Sequence, residues 1–244
     1  MSKIKSIKKS YIFLALAAVV GVATFVIPAF PSSPLNSLMN WGLLATIIAV
    51  LAIAAFFFEF EAAALSSKEV ALVAMLGTLS AVSRVPFAAV PGVQPCTFFV
   101  ICSGYVFGPV AGFMVGAVTA LVSNFFLGHG PWTIYQMMAW GLVGLSAACL
   151  RRLNLHGTAL AVCLIAFGIL WGFLFGWIMN VWYWASFIYP LTWKTFLTYQ
   201  LTSVWFDAFH AMGNAILLGI FGLKTIAVLD RFRKRFSWKL STSD

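Results

Sequence analysis

The chain has 244 residues, of which 62% are apolar and 9% charged, with a formal net charge of +9. Ordinary soluble domains carry about 25% charged residues, so a soluble globule is excluded and an integral membrane protein is expected. The positive charges gather at chain ends and in short loops beside apolar runs, which fits membrane orientation and argues against a nucleic-acid partner.

Lys3, Lys5, Lys8 and Lys9 precede an apolar run over 11–30 that is long enough to span and is followed by no small-residue cleavage pattern. A retained first helix is expected there. Further spans follow at about 40–58, 68–84, 95–107, 109–127, 133–150, 157–180 and 199–224, eight in all. The thirteen residues of 95–107 reach only about 20 Å at 1.5 Å per residue, so that helix is short or tilted. An even number of crossings puts both termini on one side. Of the 15 Lys and Arg residues, all but Arg84 and Lys194 fall on that side, and the positive-inside rule makes it cytoplasmic. The outer connections are then 31–39, 85–94, 128–132 and 181–198.

The first two spans have almost no polar side chains, and an acidic turn, Glu59-Phe60-Glu61, separates them from the rest. Residues 1–65 are expected to form an appended helical hairpin, 66–230 a six-helix core capped at its start by Ser67, and 231–244 a basic tail. The tail, DRFRKRFSWK over 230–239, mixes charge with Phe232, Phe236 and Trp238 as an interfacial anchor would.

In the third span Ala71, Ala74, Thr78 and Ala81 recur at three and four, so one face is small and should meet another helix instead of acyl chains. The stretch 90–144 is apolar, yet Gly and Pro interrupt it at Pro91-Gly92, Pro95, Gly108-Pro109 and between Gly128 and Pro131. Its polar residues Gln94, Thr97, Asn124, His129, Thr133 and Gln136 collect near these outer breaks. Irregular backbone at membrane depth is tolerated only where protein or water covers it, which points to a binding mouth. Asn124 and Gln136 lie one turn either side of the GHGPW turn and can face one mouth, with Trp132 beside them. In 181–198 the aromatics Trp182, Tyr183, Trp184, Phe187, Tyr189 and Trp193 form either an interfacial belt or a stacking surface.

The last span carries Asp207, His210 and Asn214 on one face, and an ionisable residue inside a span defaults to a paired or functional role. Cys96, Cys102, Cys149 and Cys163 lack metal-ligand spacing and read as small apolar residues, so neither metal nor cofactor is expected. The chain has no GxxxxGK[ST] phosphate loop, so any ATP hydrolysis is supplied by other subunits. An enzyme using Asp207 and His210 is the competing class, but no nucleophile or metal motif accompanies them at a telling spacing. A purely structural scaffold would leave the polar mouth unexplained.

The run GVQPCTFFVICSGYVFGPVAGFMVGAVTALVSNFFLGHGPWTIYQMMAWGLVG, preceded by VALVAMLGTLSAVSRVP, resembles the substrate-binding S components of energy-coupling factor (ECF) vitamin transporters. The resemblance covers about 66–230. It implies a six-helix bundle in the cell membrane that binds a vitamin from outside. It also implies two kinds of partner, a transmembrane coupling protein and two cytoplasmic ATPase subunits. Within the family, SNFFLGHGPWTIYQMMAWG is similar to S components for cobalamin or related corrinoids, while the aromatic and amide groups would also suit another cyclic vitamin such as riboflavin. The residues expected at the ligand are Arg84, Gln94, Asn124, His129, Trp132, Gln136, Tyr183 and Asp207; those expected at the coupling interface are Ala71, Ala74, Thr78 and Ala81.

Overall fold

The computed structural model describes residues 9–26, 40–62 and 66–235, and among these all regular structure is helical. The 31–39 connection, Lys3, Lys5, Lys8 and the tail beyond Arg235 lie outside the described residues. We label the helices α1 (Lys9–Val26), α2 (Trp41–Ala62), α3 (Ser67–Arg84), α4 (Pro95–Phe107), α5 (Pro109–Leu127), α6 (Trp132–Leu150), α7 (Gly157–Phe187), α8 (Trp193–Leu217) and α9 (Leu223–Arg235). A π-helical turn, Leu218–Gly222, joins α8 to α9 without a break. Among the described residues six helices are long and apolar enough to cross a membrane, with Pro95–Phe107 and Lys9–Val20 as shorter apolar helices, and the chain is an all-α integral membrane protein.

Local chemistry sets the boundaries. Helix α3 starts at a capping box in which the Ser66 backbone N–H donates to Glu69 Oε2 at 2.7 Å and the Ser66 side chain accepts from the Glu69 N–H. The cap is therefore Ser66 and not Ser67, because Glu69 stands three residues after Ser66. Pro95 and Pro109 occupy first-turn positions that need no N–H donor. Between α4 and α5 the chain turns at Gly108 (φ 92°), a conformation that a side chain would strain.

Helix α4 is buried at every position except Phe99, so its thirteen residues need not match the hydrocarbon thickness: protein and not lipid surrounds it. Helices α4, α5 and α6 touch through glycine. A Cβ on Gly104, Gly112 or Gly144 would strike backbone of the neighbouring helix, and one on Gly116 would strike the Trp140 carbonyl group. Backbones this close gain packing that lipid cannot supply. Around this centre α3 packs on α5, α8 packs on α7, and α9 reaches α4. The hairpin docks from one side: Phe56 of α2 stacks on Phe113 of α5 at 3.9 Å, and Thr46 Oγ1 lies 3.3 Å from the Tyr135 hydroxyl of α6. Helix α1 packs on α2, with Phe13 stacked on Phe58 and Ser10 bonded to Glu59.

The last two predicted spans are too short at the ends. Helix α7 runs seven residues past 180, and the continuous helix from Trp193 to Arg235 has 43 residues, or about 65 Å against about 30 Å of hydrocarbon. The connection expected over 181–198 shrinks to 188–192. Nothing in VWYWASF stops a helix; the first breaker is Pro190, after which Thr192 and Thr195 cap α8. The aromatics pair across the two extended helices, Tyr183 stacking on Tyr199 at 4.9 Å and Trp184 lying edge-on to Phe196.

One end of the bundle carries the 85–94, 128–131 and 188–192 connections; the other carries Lys68, Arg151, Arg152, Arg231, Arg233, Lys234 and Arg235. At that basic end Asp230 pairs with Arg233 at 2.8 Å, Lys234 at 3.2 Å and Arg151 at 3.4 Å.

Candidate functional site

At the end opposite the basic residues, the polar side chains of the interior divide into two groups that meet at Gln94. The first is closed. Arg84, 8% exposed, donates from Nε to Gln94 Oε1 (2.9 Å) and from one terminal nitrogen to Ser123 Oγ (2.7 Å) and Asn124 Oδ1 (2.8 Å). Its guanidinium lies over the Trp140 ring at 4.8 Å. Asn124 then donates to Gln136 Oε1 at 2.7 Å and to Thr133 Oγ1 at 2.9 Å. The one-turn spacing about the GHGPW turn does bring Asn124 and Gln136 together, but onto each other.

The second group lines a groove of about 400 Å³ between α7, α8 and the 85–94 connection. Its wall includes Gln94, Phe175, Asn180, Tyr199, Asp207 and His210. Gly92 closes one side: with φ 75° it lays its backbone on α8, where a Cβ would come 2.5 Å from the Phe206 carbonyl oxygen. Asn180 Nδ2 donates to Gln200 Oε1 at 2.6 Å and to Ser203 Oγ at 2.7 Å, and Ser203 Oγ in turn lies 3.2 Å from Asp207 Oδ2. His210 Nε2 lies 2.8 Å from Thr97 Oγ1, which also accepts from Trp140 Nε1 at 2.9 Å. Trp140 packs on Phe175, and Phe175 meets His210 edge-on, so the closed group and the groove share a wall.

Of the residues expected at the ligand, Gln94 and Asp207 line the groove, whereas Arg84, Asn124 and Gln136 stand behind Gln94. His129 is exposed at the 128–131 turn, 3.4 Å from Thr133 Oγ1. Trp132 lies edge-on to Trp182, and Tyr183 reaches the groove only through its stack on Tyr199. Asn214, predicted on the Asp207 face, donates to the Gly168 carbonyl of α7 at 2.9 Å and ties the helices together.

Sequence reasoning missed Asn180, Gln200, Ser203 and Phe175. The polar face of α8 is legible in the sequence: Gln200, Ser203, Asp207, His210 and Asn214 follow one another at three, four, three and four. The expected span 199–224 already holds Gln200 and Ser203, but Asp207 is the first ionisable residue on that face, and the two neutral residues before it carry no charge to single them out. Asn180 had no such pattern around it.

On the outer face of α3, Ala71, Ala74 and Thr78 are exposed, beside Met75 and Leu79. Ala81 does not belong with them: it is 1% exposed, since the three-and-four stripe drifts round the helix toward the edge where Gly77 meets Val118. Among the described residues no group of three or more His, Cys, Asp or Glu could hold a metal ion, and the four cysteines are unpaired.

The family model for "ECF transporter, substrate-specific component" matches residues 68–221, more than half of the chain and all of the two polar groups just described. No curated protein and no solved structure matches. The chain therefore belongs to the substrate-specific components of ECF transporters.

Proposed function

We propose that this chain captures a vitamin from outside the cell in the groove beneath the 85–94 connection and hands it to an ECF module, with both termini cytoplasmic. The observation that carries this is the groove itself: a concave site with aromatic walls and a few converging polar groups, at the end of the bundle away from the basic residues. The positive-inside rule supports placing that end outside. As a substrate-specific component the chain is a transport subunit and not an enzyme, so Asp207 and His210 serve binding instead of acid–base chemistry.

Resemblance to corrinoid S components favours cobalamin, whereas size favours a smaller ring. At about 400 Å³ the groove is near the low end of the roughly 300–1,000 Å³ that encloses drug-sized ligands, and a corrinoid is larger than those. Cobalamin would require the 85–94 and 188–192 connections to separate; a compact heterocyclic vitamin would not. Residues 66–230 form the binding unit in this proposal and 1–65 are an addition, of which α2 packs on α5, α6 and α7.

The partners implied are the transmembrane coupling protein and two cytoplasmic ATPases, approached through the exposed small residues Ala71, Ala74 and Thr78. Binding of radiolabelled vitamins to the detergent-purified chain, together with copurification of two ATPases, tests the whole proposal. Failure of every vitamin to bind would overturn it. Ala74→Trp should abolish ATP-driven uptake while leaving binding by the isolated subunit intact; unchanged uptake would remove α3 from the interface.

A further inference from the structure

The groove is asymmetric in charge. Its lining holds one carboxylate, Asp207, and neither a lysine nor an arginine. The cation nearest in the network, Arg84, is behind Gln94, which it approaches through Nε, and one of its two terminal nitrogens is engaged by Ser123 and Asn124. Asp207 is 4% exposed, and its hydrogen-bond partner is the neutral Ser203 hydroxyl at 3.2 Å. Among the described residues no cation pairs with it; the ion pairs go to Asp230 at the other end of the bundle.

The fold seats this carboxylate deliberately close to α7. Gly176 faces it, and a Cβ there would collide with Asp207 Oδ1. On the other side Asn180 donates to Ser203 Oγ, which leaves the Ser203 hydroxyl proton for Asp207 Oδ2 or the Gln200 carbonyl. A carboxylate removed from water without a counter-charge is costly, and in a membrane protein such a group is characteristically completed by a partner or a substrate. The groove is the side from which a partner can arrive.

Resting on the identification of this groove as the ligand site, we infer that its ligand carries a cationic nitrogen, which Asp207 binds, on a planar ring held beside Phe175, Tyr199 and Phe206. Vitamins whose polar end is a carboxylate are rejected, because the groove offers them a like charge and no ammonium or guanidinium. Gln94 supplies the complementary contact: its Oε1 is taken by Arg84, so its amide nitrogen is the end left to donate to a ring acceptor.

The test uses the full chain purified in detergent and three sets of probes read by calorimetry: thiamine and pyridoxamine as cations, riboflavin, nicotinamide and cobalamin as ligands without a carboxylate or an ammonium group, and nicotinate, biotin and pantothenate as carboxylates. A cation should bind and the carboxylates should not. Asp207→Asn should then weaken the bound cation by roughly ten- to a hundredfold, the effect of losing the ion pair and, for the ammonium of pyridoxamine, its charge-assisted hydrogen bond, and Asp207→Glu should recover part of the loss. Thermal unfolding of each variant separates lost binding from lost fold. Binding confined to the other two sets, or an Asp207→Asn protein that is folded and binds the cation as before, overturns the inference while the groove remains a ligand site. No binding by any probe overturns both.

Discussion

Arg84 and Asp207 are both buried ionisable side chains, on opposite sides of Gln94, and they have been given opposite surroundings. Arg84 is enclosed by three neutral acceptors and an aromatic face; Asp207 has one hydroxyl and an open groove. The first arrangement directs three hydrogen bonds to groups inside the protein and ties the bundle end together. The second leaves a carboxylate facing the groove with capacity to spare, which our proposal assigns to the ligand. Low dielectric makes a satisfied network stiff and leaves an incomplete one open to a partner, so the same physics accounts for a frame on one side and, in our proposal, a receptor on the other.

Removing the centre of the frame should have the largest effect. Arg84→Met removes the donor to Gln94 Oε1, Ser123 Oγ and Asn124 Oδ1 at once; Asn124 is the fully buried acceptor it strands, Ser123 keeps its bond to the Ala120 carbonyl, and a stranded buried group costs about 1–3 kcal/mol. A loss of about 2–4 kcal/mol is expected, seen as a lower unfolding midpoint by fluorescence-detected size exclusion in detergent. An unchanged midpoint would mean that the frame does not hold this end together.

Asn124→Ala cuts the same network further out, removing the bonds to Thr133 and Gln136 as well as one from Arg84. About 1–3 kcal/mol of stability should go, while the ligand dissociation constant of the folded fraction stays within about twofold. A large binding defect in a stable Asn124→Ala protein would break the division between frame and groove, and would return Asn124 and Gln136 to the ligand-contacting role that their position at the mouth suggested in the sequence.

That difference shows where sequence reasoning carried and where it stopped. The limits of α4 and α5 were readable because Pro95, Gly108, Pro109 and Gly128 punctuate them, and each acts locally on the backbone. The scarcity of polar residues in an apolar chain also flagged Arg84, Gln94, Asn124, Gln136 and Asp207. Which of them bond to one another is a tertiary matter: Arg84 and Asn124 are 40 positions apart, and Asn180 and Gln200 are 20 apart. The aromatic stretch after 180 was misjudged for a related reason. Tryptophan and tyrosine gather at an interface whether the backbone is helical or not, so their presence said nothing about where α7 ends.

Gly92→Ala acts on the groove without touching its polar groups. The added Cβ would press on the Phe206 carbonyl and the Phe209 side chain, and the φ of 75° would be strained, so the 85–94 connection should lift from α8. Ligand affinity should fall by about tenfold, equivalent to roughly 1.4 kcal/mol, with a smaller change in stability than either frame variant gives. Calorimetry beside thermal unfolding checks this, and a variant that loses stability while keeping affinity would place Gly92 in the frame.

The smallest effect belongs to His129, which the sequence put at the mouth but which the fold leaves at the tip of the 128–131 turn. It is exposed, its hydrogen-bond contact to Thr133 is long at 3.4 Å, and its ring meets Phe125 edge-on at the surface. Thr133 Oγ1 keeps the shorter bond from Asn124 when the imidazole is gone. His129→Ala should therefore change stability by no more than about 0.5 kcal/mol, the usual range for surface substitutions, and the dissociation constant by less than about twofold. A tenfold loss of affinity in a protein with an unchanged unfolding midpoint would extend the receptor side from the groove across the frame to the 128–131 turn, and the separation of the two regions at Gln94 would no longer stand.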